Sequence, residues 1–263
     1  MRKPDFRVLF GILLVVAGAL FLLEALDLIV IGGWLWGLAF LVAAAAFIYV
    51  YFTNRERWWP LIPGCTLAGI GLTILTGELA PGMGELGGFF VLAGIGLSFL
   101  LIYLTRRDYW WALIPGCTMV GIGVGVLAEG LLPSFGEVVP FFVLGGIGLS
   151  FLLIYLSRRN YWWAIIPSGS LFSVALMIAA ERIFPDDVGM VGILFLGMAI
   201  TFGVLGFVST AAGRMKWPWI PAAVLAILGV VFVGAGFENA GIAFGLIMVA
   251  VGAYLILRTA RPR

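Results

Sequence analysis

Histidine is absent from the 263 residues, cysteine occurs only twice, and 11% of the chain is charged. Without histidine there is no imidazole to ligate haem, chlorophyll or zinc, and none to serve as a general base. Two cysteines are too few for an iron–sulfur cluster or a zinc site of thiolates alone. A charged fraction of 11% lies far below the ~25% of ordinary soluble domains, so a water-soluble domain is excluded. The net charge of +2, with no long basic tract in any loop, gives no field for nucleic acid. No cofactor is expected.

Hydrophobic residues make up 63% of the chain and fall in runs of about twenty, the span of a bilayer core. The N-terminal MRKPDFR and the apolar stretch after it have the charge and run of a signal peptide but no convincing small-x-small cleavage site, so a retained first span is expected. Continuous apolar runs favour helices over the short alternating strands of a barrel.

Internal repetition organises these runs. Trp58-Trp59-Pro60-Leu61-Ile62-Pro63-Gly64-Cys65-Thr66 returns as Trp110-Trp111-Ala112-Leu113-Ile114-Pro115-Gly116-Cys117-Thr118, and more weakly from Trp162-Trp163 through Pro167-Ser168-Gly169-Ser170, each 52 residues on. A worn copy begins at Trp217-Pro218-Trp219. FFVLAGIGLSFLLIYLTRR (89–107) and FFVLGGIGLSFLLIYLSRR (141–159) differ at two positions. The pattern predicts an all-α polytopic membrane protein of ten transmembrane helices, near 6–25, 31–53, 59–77, 86–105, 111–128, 137–157, 163–181, 188–210, 218–236 and 240–258. These would form five tandem two-helix hairpins in parallel orientation, as units 6–53, 59–105, 111–157, 163–210 and 218–258, all within one integral membrane domain. Successive hairpins are expected to stack by a constant operation rather than fold back as inverted halves.

Charge is segregated between the connections. One set carries Arg2, Lys3, Arg7, Arg55, Arg57, Arg106, Arg107, Arg158, Arg159, Arg214, Lys216, Arg258, Arg261 and Arg263, which is every basic residue but Arg182. The other carries Glu24, Asp27, Glu78, Glu85, Glu129, Glu137, Glu181, Asp186, Asp187 and Glu238. By the positive-inside rule the basic set faces the cytoplasm, which puts both termini inside a multi-pass plasma-membrane (inner-membrane) protein. Eight of the 10 tryptophans follow the basic connections, at headgroup level, and Trp34 and Trp36 mark the opposite interface. Pro63, Pro115, Pro167 and Pro221 are expected within a first helical turn rather than as breaks in a helix.

Each candidate site has a functional and a plain explanation. Cys65 and Cys117 would be a redox pair or soft-metal site, but Gly169 and Ala223 replace them in later copies, so a position that wants a small residue is favoured. The glycine stripes, among them Gly94 and Gly96, Gly146 and Gly148, fit close backbone packing better than a ligand groove. Val91 and Val143 are expected to face lipid. No Asp, Glu, Lys, Arg, Asn or Gln falls at the centre of a predicted span, where ion paths place them. The remaining hydroxyls, Thr66, Thr73, Ser98, Thr118, Ser150, Ser170, Ser173 and Thr201, can bond the preceding turn of their own helices. The acidic loops lack calcium-site spacing and are expected to be solvated.

The clusters Arg55, Arg57, Trp58, Trp59; Arg106, Arg107, Trp110, Trp111; and Arg158, Arg159, Trp162, Trp163 fix topology. They are also the candidates for contacts with anionic lipid headgroups at the cytoplasmic face or with a membrane-protein partner. The Arg-x-x-Trp-Trp-Pro-Leu-Ile element (Arg55 to Ile62) resembles the membrane portion of bacterial LiaI/LiaF-like cell-envelope stress proteins. The Trp-Trp-Ala-Leu-Ile-Pro-Gly stretch at 110–116 is similar to repeats in a broad group of bacterial integral membrane proteins. The resemblance implies a membrane domain at the cell envelope and assigns no residue a catalytic role. The function expected is a non-catalytic integral membrane scaffold or accessory subunit, possible in an envelope-associated complex. The alternative is a passive channel or small-solute transporter, and an intramembrane enzyme ranks last.

Overall fold

The computed structural model describes residues 6–29, 32–80, 82, 85–131, 139–183, 189–210 and 213–259. They form α1 (Phe6–Ala25), α2 (Gly33–Thr53), α3 (Leu61–Leu79), α4 (Glu85–Thr105), α5 (Leu113–Leu131), α6 (Val139–Ser157), α7 (Ile165–Ile183), α8 (Met190–Phe207) and α9 (Trp219–Thr259). Single 3₁₀ turns, Trp110–Ala112 and Trp162–Ala164, lead into α5 and α7, and a two-residue-per-strand antiparallel ribbon pairs Ser209–Thr210 with Gly213–Arg214.

Among the described residues seven helices, α2 to α8, have the length and apolarity to cross a bilayer. The chain is therefore a polytopic helical membrane protein, but not one of ten helices in five regular hairpins. Nine α-helices are present among the described residues, and the expected ninth and tenth spans, 218–236 and 240–258, run together as the single 41-residue α9. The physical reason lies in the expected turn, Phe237-Glu238-Asn239-Ala240-Gly241. Its polar pair interrupts a hydropathy window, yet without proline nothing there stops a helical backbone. Glu137, Asp186, Asp187, Arg2, Lys3, Arg261 and Arg263 lie outside the described residues.

The helix starts follow from proline placement. Pro63, Pro115, Pro167 and Pro221 each occupy the third position of α3, α5, α7 and α9. The first four N–H groups of a helix have no intrahelical acceptor, so proline there removes no bond. The first-turn expectation holds, and none of these prolines breaks its helix.

Among the described residues every extensive helix–helix contact joins neighbours in sequence, from α2–α3 through α8–α9. The result is an open row of antiparallel helices, which gathers the α2–α3, α4–α5, α6–α7 and α8–α9 connections at one end. Paired glycines make the row possible. Residues two apart on a helix lie about 200° around its axis, so a Gly-x-Gly step offers a bare backbone to two neighbours at once. A Cβ added at Gly94 would press on the Cys65 carbonyl of α3, and one at Gly96 would lie 3.0 Å from the Gly116 carbonyl of α5. Gly71 approaches the Gly37 carbonyl of α2 while Gly69 approaches the Phe90 carbonyl of α4. Gly121 on α5 and Gly146 on α6 meet each other's backbones, and Gly148 faces α7. The packing expectation is met at the Gly-x-Gly steps 69–71, 94–96 and 146–148 and at Gly121 and Gly125, whereas a Cβ at Gly241 or Gly245, expected to pack alike, would meet nothing within 4 Å.

Candidate functional site

The end of the row that holds Arg55, Arg106, Arg107, Arg158 and Arg159 is built by the short connections after α2, α4 and α6. Each connection turns back through a backbone hydrogen bond, Arg57 to Asn54, Tyr109 to Arg106 and Tyr161 to Arg158, at 2.8–3.1 Å. That turn delivers two tryptophans to each following helix start, and the two have different tasks.

The first tryptophan of each pair is half-buried and reaches the next connection. Trp58 packs edge-on against Tyr109 and Trp111, and Trp110 does the same with Tyr161 and Trp163. Trp162 continues the chain to Trp217. The second tryptophan is exposed and leans back on the preceding helix, with Trp59 on Phe47, Trp111 on Phe99 and Trp163 on Phe151. Edge-to-face contacts of this kind add about 0.5–1.5 kcal/mol each beyond area burial. The structure thus joins the predicted Trp pairs into one aromatic strip across the end of the row. Helices next-but-one in sequence meet there through side chains.

The arginines lie against this strip. The Arg107 guanidinium sits 4.8 Å over the Tyr103 ring and Arg159 repeats the contact over Tyr155 at 4.8 Å. Arg106 and Arg158 lie 5.9 Å from the rings of Tyr109 and Tyr161, and Arg55 5.6 Å from Phe52. Arg57 is exposed. Stacking of this type holds a flexible cation in place without neutralising it.

Two partners escaped the sequence reading. Asp108, in the midst of the basic set, accepts a 2.6 Å hydrogen bond from Arg158 of the following connection. That bond holds the Arg158 guanidinium protonated even more firmly than an ordinary arginine. Both groups are solvent-facing, so the pair positions more than it stabilises. The hydroxyls of Tyr103 and Ser157 meet at 2.5 Å and tie α4 to α6. In the sequence Tyr51, Tyr103 and Tyr155 keep one register, each followed two residues on by a hydroxyl, Thr53, Thr105 and Ser157, but the repeat does not show which of them pair across helices.

Below this end the polar groups are inwardly bonded. Thr66, Ser98, Thr118, Ser150, Ser173 and Thr201 donate to carbonyls three or four residues back on their own helices, at 2.6–2.9 Å. Thr73 lies 2.9 Å from the Gly69 carbonyl and 2.7 Å from that of Gly87 on α4, and Ser168 donates to the Gly148 carbonyl at 2.9 Å. Among the described residues no buried side-chain polar atom lacks a partner. Cys65 and Cys117 are buried free thiols whose backbone carbonyls face Gly94 and Gly146. Among the described residues no three acidic or cysteine side chains gather where they could hold a metal ion.

Two recesses flank the site. One is a polar hollow of about 400 Å³ formed by Thr105, Arg106, Arg107, Asp108 and Tyr109. The other is an apolar groove of about 460 Å³ within the span, lined mainly by α5 and α6, with Leu100 of α4 facing α6 across it and Phe172 of α7 also in its wall. Comparison of the chain with protein-family models, with curated proteins and with solved structures gave no match.

Proposed function

We propose that the protein is a non-catalytic membrane scaffold or accessory subunit, anchored by anionic lipid headgroups along its basic aromatic end. The observation that carries this reading is the inward bonding of the intramembrane hydroxyls within a row of backbone-packed helices. A conduction path needs polar groups or charges turned toward a lumen, whereas Thr66, Ser98, Thr118 and Ser150 are all turned onto their own helices. The resemblance of Arg55 to Ile62 to the LiaI/LiaF-like stress proteins supports placing the assembly at the cell envelope, with a membrane-protein partner. The excess of basic residues supports a cytoplasmic position for the end bearing Arg55, Arg107 and Arg159, in an inner (plasma) membrane.

Two measurements test this. Purified protein reconstituted in liposomes should pass inorganic ions, glycerol and small neutral solutes no faster than empty vesicles; saturable, solute-specific flux would replace the scaffold by a channel or transporter. In a variant lacking Cys65 and Cys117, single cysteines at Glu78 and Glu129 should react with an impermeant maleimide from outside intact cells. Cysteines at Glu56, Asp108 and Asn160 should react only after permeabilisation. The reverse pattern overturns the orientation.

A further inference from the structure

The near-identical segments 89–107 and 141–159 differ only at Ala93/Gly145 and Thr105/Ser157. On α6 the two differences lie about 18 Å apart, one within an apolar groove and one beyond its end. Gly145 lines the apolar groove, and a Cβ built there meets nothing within 4 Å, so the missing methyl leaves open space rather than a close contact. Ser157 takes the Tyr103 hydroxyl across to α6, whereas Thr105 bonds the Leu101 and Ile102 carbonyls of its own helix. Leu100 and Leu153 line the groove one turn below that hydroxyl pair. The bridge therefore stands beyond the end of the groove nearest the basic end of the row.

The groove has the dimensions of one lipid tail. Its lining on α6 runs from Phe141 to Leu153, about 18 Å along the helix axis, against ~15 Å for one leaflet of a ~30 Å hydrocarbon core. The volume of about 460 Å³ lies within the range of small-ligand sites, roughly 300–1,000 Å³. About 8 Å above Leu100 along α4 opens the polar hollow that contains Arg106 and Arg107. The carboxylate there, Asp108, is already engaged by Arg158, and Arg107 is held at the rim by its stack on Tyr103. A planar guanidinium fixed at headgroup depth suits a phosphate diester.

We propose that the groove between α4 and α6 seats one acyl chain of an anionic phospholipid of the surrounding bilayer, with the lipid phosphate on Arg107. The proposal rests on the placement of the basic end at a headgroup layer, and it is independent of whether the protein conducts solutes. It also gives the two divergent positions a common purpose. Gly145 opens room for the tail, and Ser157 draws α6 to Tyr103, which carries the phosphate-binding arginine.

The test is native mass spectrometry of the full-length protein after incubation with an equimolar mixture of dioleoyl phosphatidylglycerol and dioleoyl phosphatidylcholine. One phosphatidylglycerol per chain should survive delipidating detergent. Gly145→Leu, which fills the groove from an open position, should lower that retention at least tenfold, while Ala93→Leu at the matching position of α4 should not. Arg107→Gln should lower the retention of that phosphatidylglycerol at least tenfold, and Glu129→Gln, at the opposite end of the row, should leave it unchanged. Thermal unfolding of each variant checks that the row is intact, and Gly145→Ala, the residue at position 93, supplies a milder change if leucine unfolds it. Equal retention of both lipids by the unaltered protein, or undiminished phosphatidylglycerol on Gly145→Leu, overturns the site. So does a lipid-free dimer dissolved by that substitution, which would assign the groove to a second copy. Solute flux in liposomes, by contrast, bears only on the scaffold reading.

Discussion

Helices α4 and α6 carry almost the same sequence and meet different neighbours. Each offers a glycine to either side, but α4 is held between two close backbones while α6 is gripped closely on one side only. Gly96 would place a Cβ 2.7 Å from a Val120 methyl and 3.0 Å from both the Gly116 carbonyl and the Val120 nitrogen. Its counterpart Gly148 stands 3.3 Å from the Ser168 carbonyl and 3.4 Å from the Phe172 ring. Position 116 is glycine and its counterpart 168 is serine; position 120 is valine and its counterpart 172 is phenylalanine. A small face is thus an offer, and the facing helix decides how closely it is taken up. Along α6–α7 a hydrogen bond from Ser168 to the Gly148 carbonyl accompanies the wider approach.

The contrast is open to direct attack. Gly96→Leu forces a branched side chain into α5 and should lower stability by about 3 kcal/mol, the upper part of the usual overpacking range; steric-trap or denaturant unfolding in micelles measures it. Gly148→Leu should cost less, about 1–2 kcal/mol, because its neighbours stand 3.3–3.4 Å from the added Cβ rather than 2.7–3.0 Å. Equal losses at the two positions would erase the distinction between the helices. Ser168→Ala removes the α6–α7 hydrogen bond and should cost about 0.6 kcal/mol, the average for interhelical bonds in membranes, and no more than about 1.7 kcal/mol. The double change Cys65→Ala and Cys117→Ala should cost least, and a bound metal or an activity lost with the thiols would show that these positions do more than fill space.

Much of the helical layout was legible in the chain because length, apolarity and proline position act locally. Twenty apolar residues and a proline at a third helical position mean the same wherever they occur, so α2 to α8 match the expected spans to within a few residues. The C-terminal pair was misjudged for the complementary reason. Glu238 and Asn239 mark a change of polarity, and polarity alone does not end a helix. Contact direction was also out of reach. Val91 and Val143, expected to face lipid, are half-buried, and the Val91 Cα lies against Gly69 of α3; the exposed leucines of these helices are Leu97 and Leu104, Leu149 and Leu156. At the basic end the residue types were evident, but the two tasks of each Trp pair depend on which neighbour lies within reach. Asp108 was overlooked because sorting acids by connection hides one acid among many bases.

The nearest-neighbour character of the row has a mechanical consequence. A closed bundle has a centre that all helices share, so a disturbance in one is felt by all. Here α5 knows of α2 only through α3 and α4, and a displacement must be relayed from helix to helix, losing amplitude wherever a contact is loose. The aromatic strip offers a shorter route along the basic end, since Trp58, Trp110 and Trp162 each skip one helix. The row is therefore braced laterally along its basic edge, with the tryptophans as the ties.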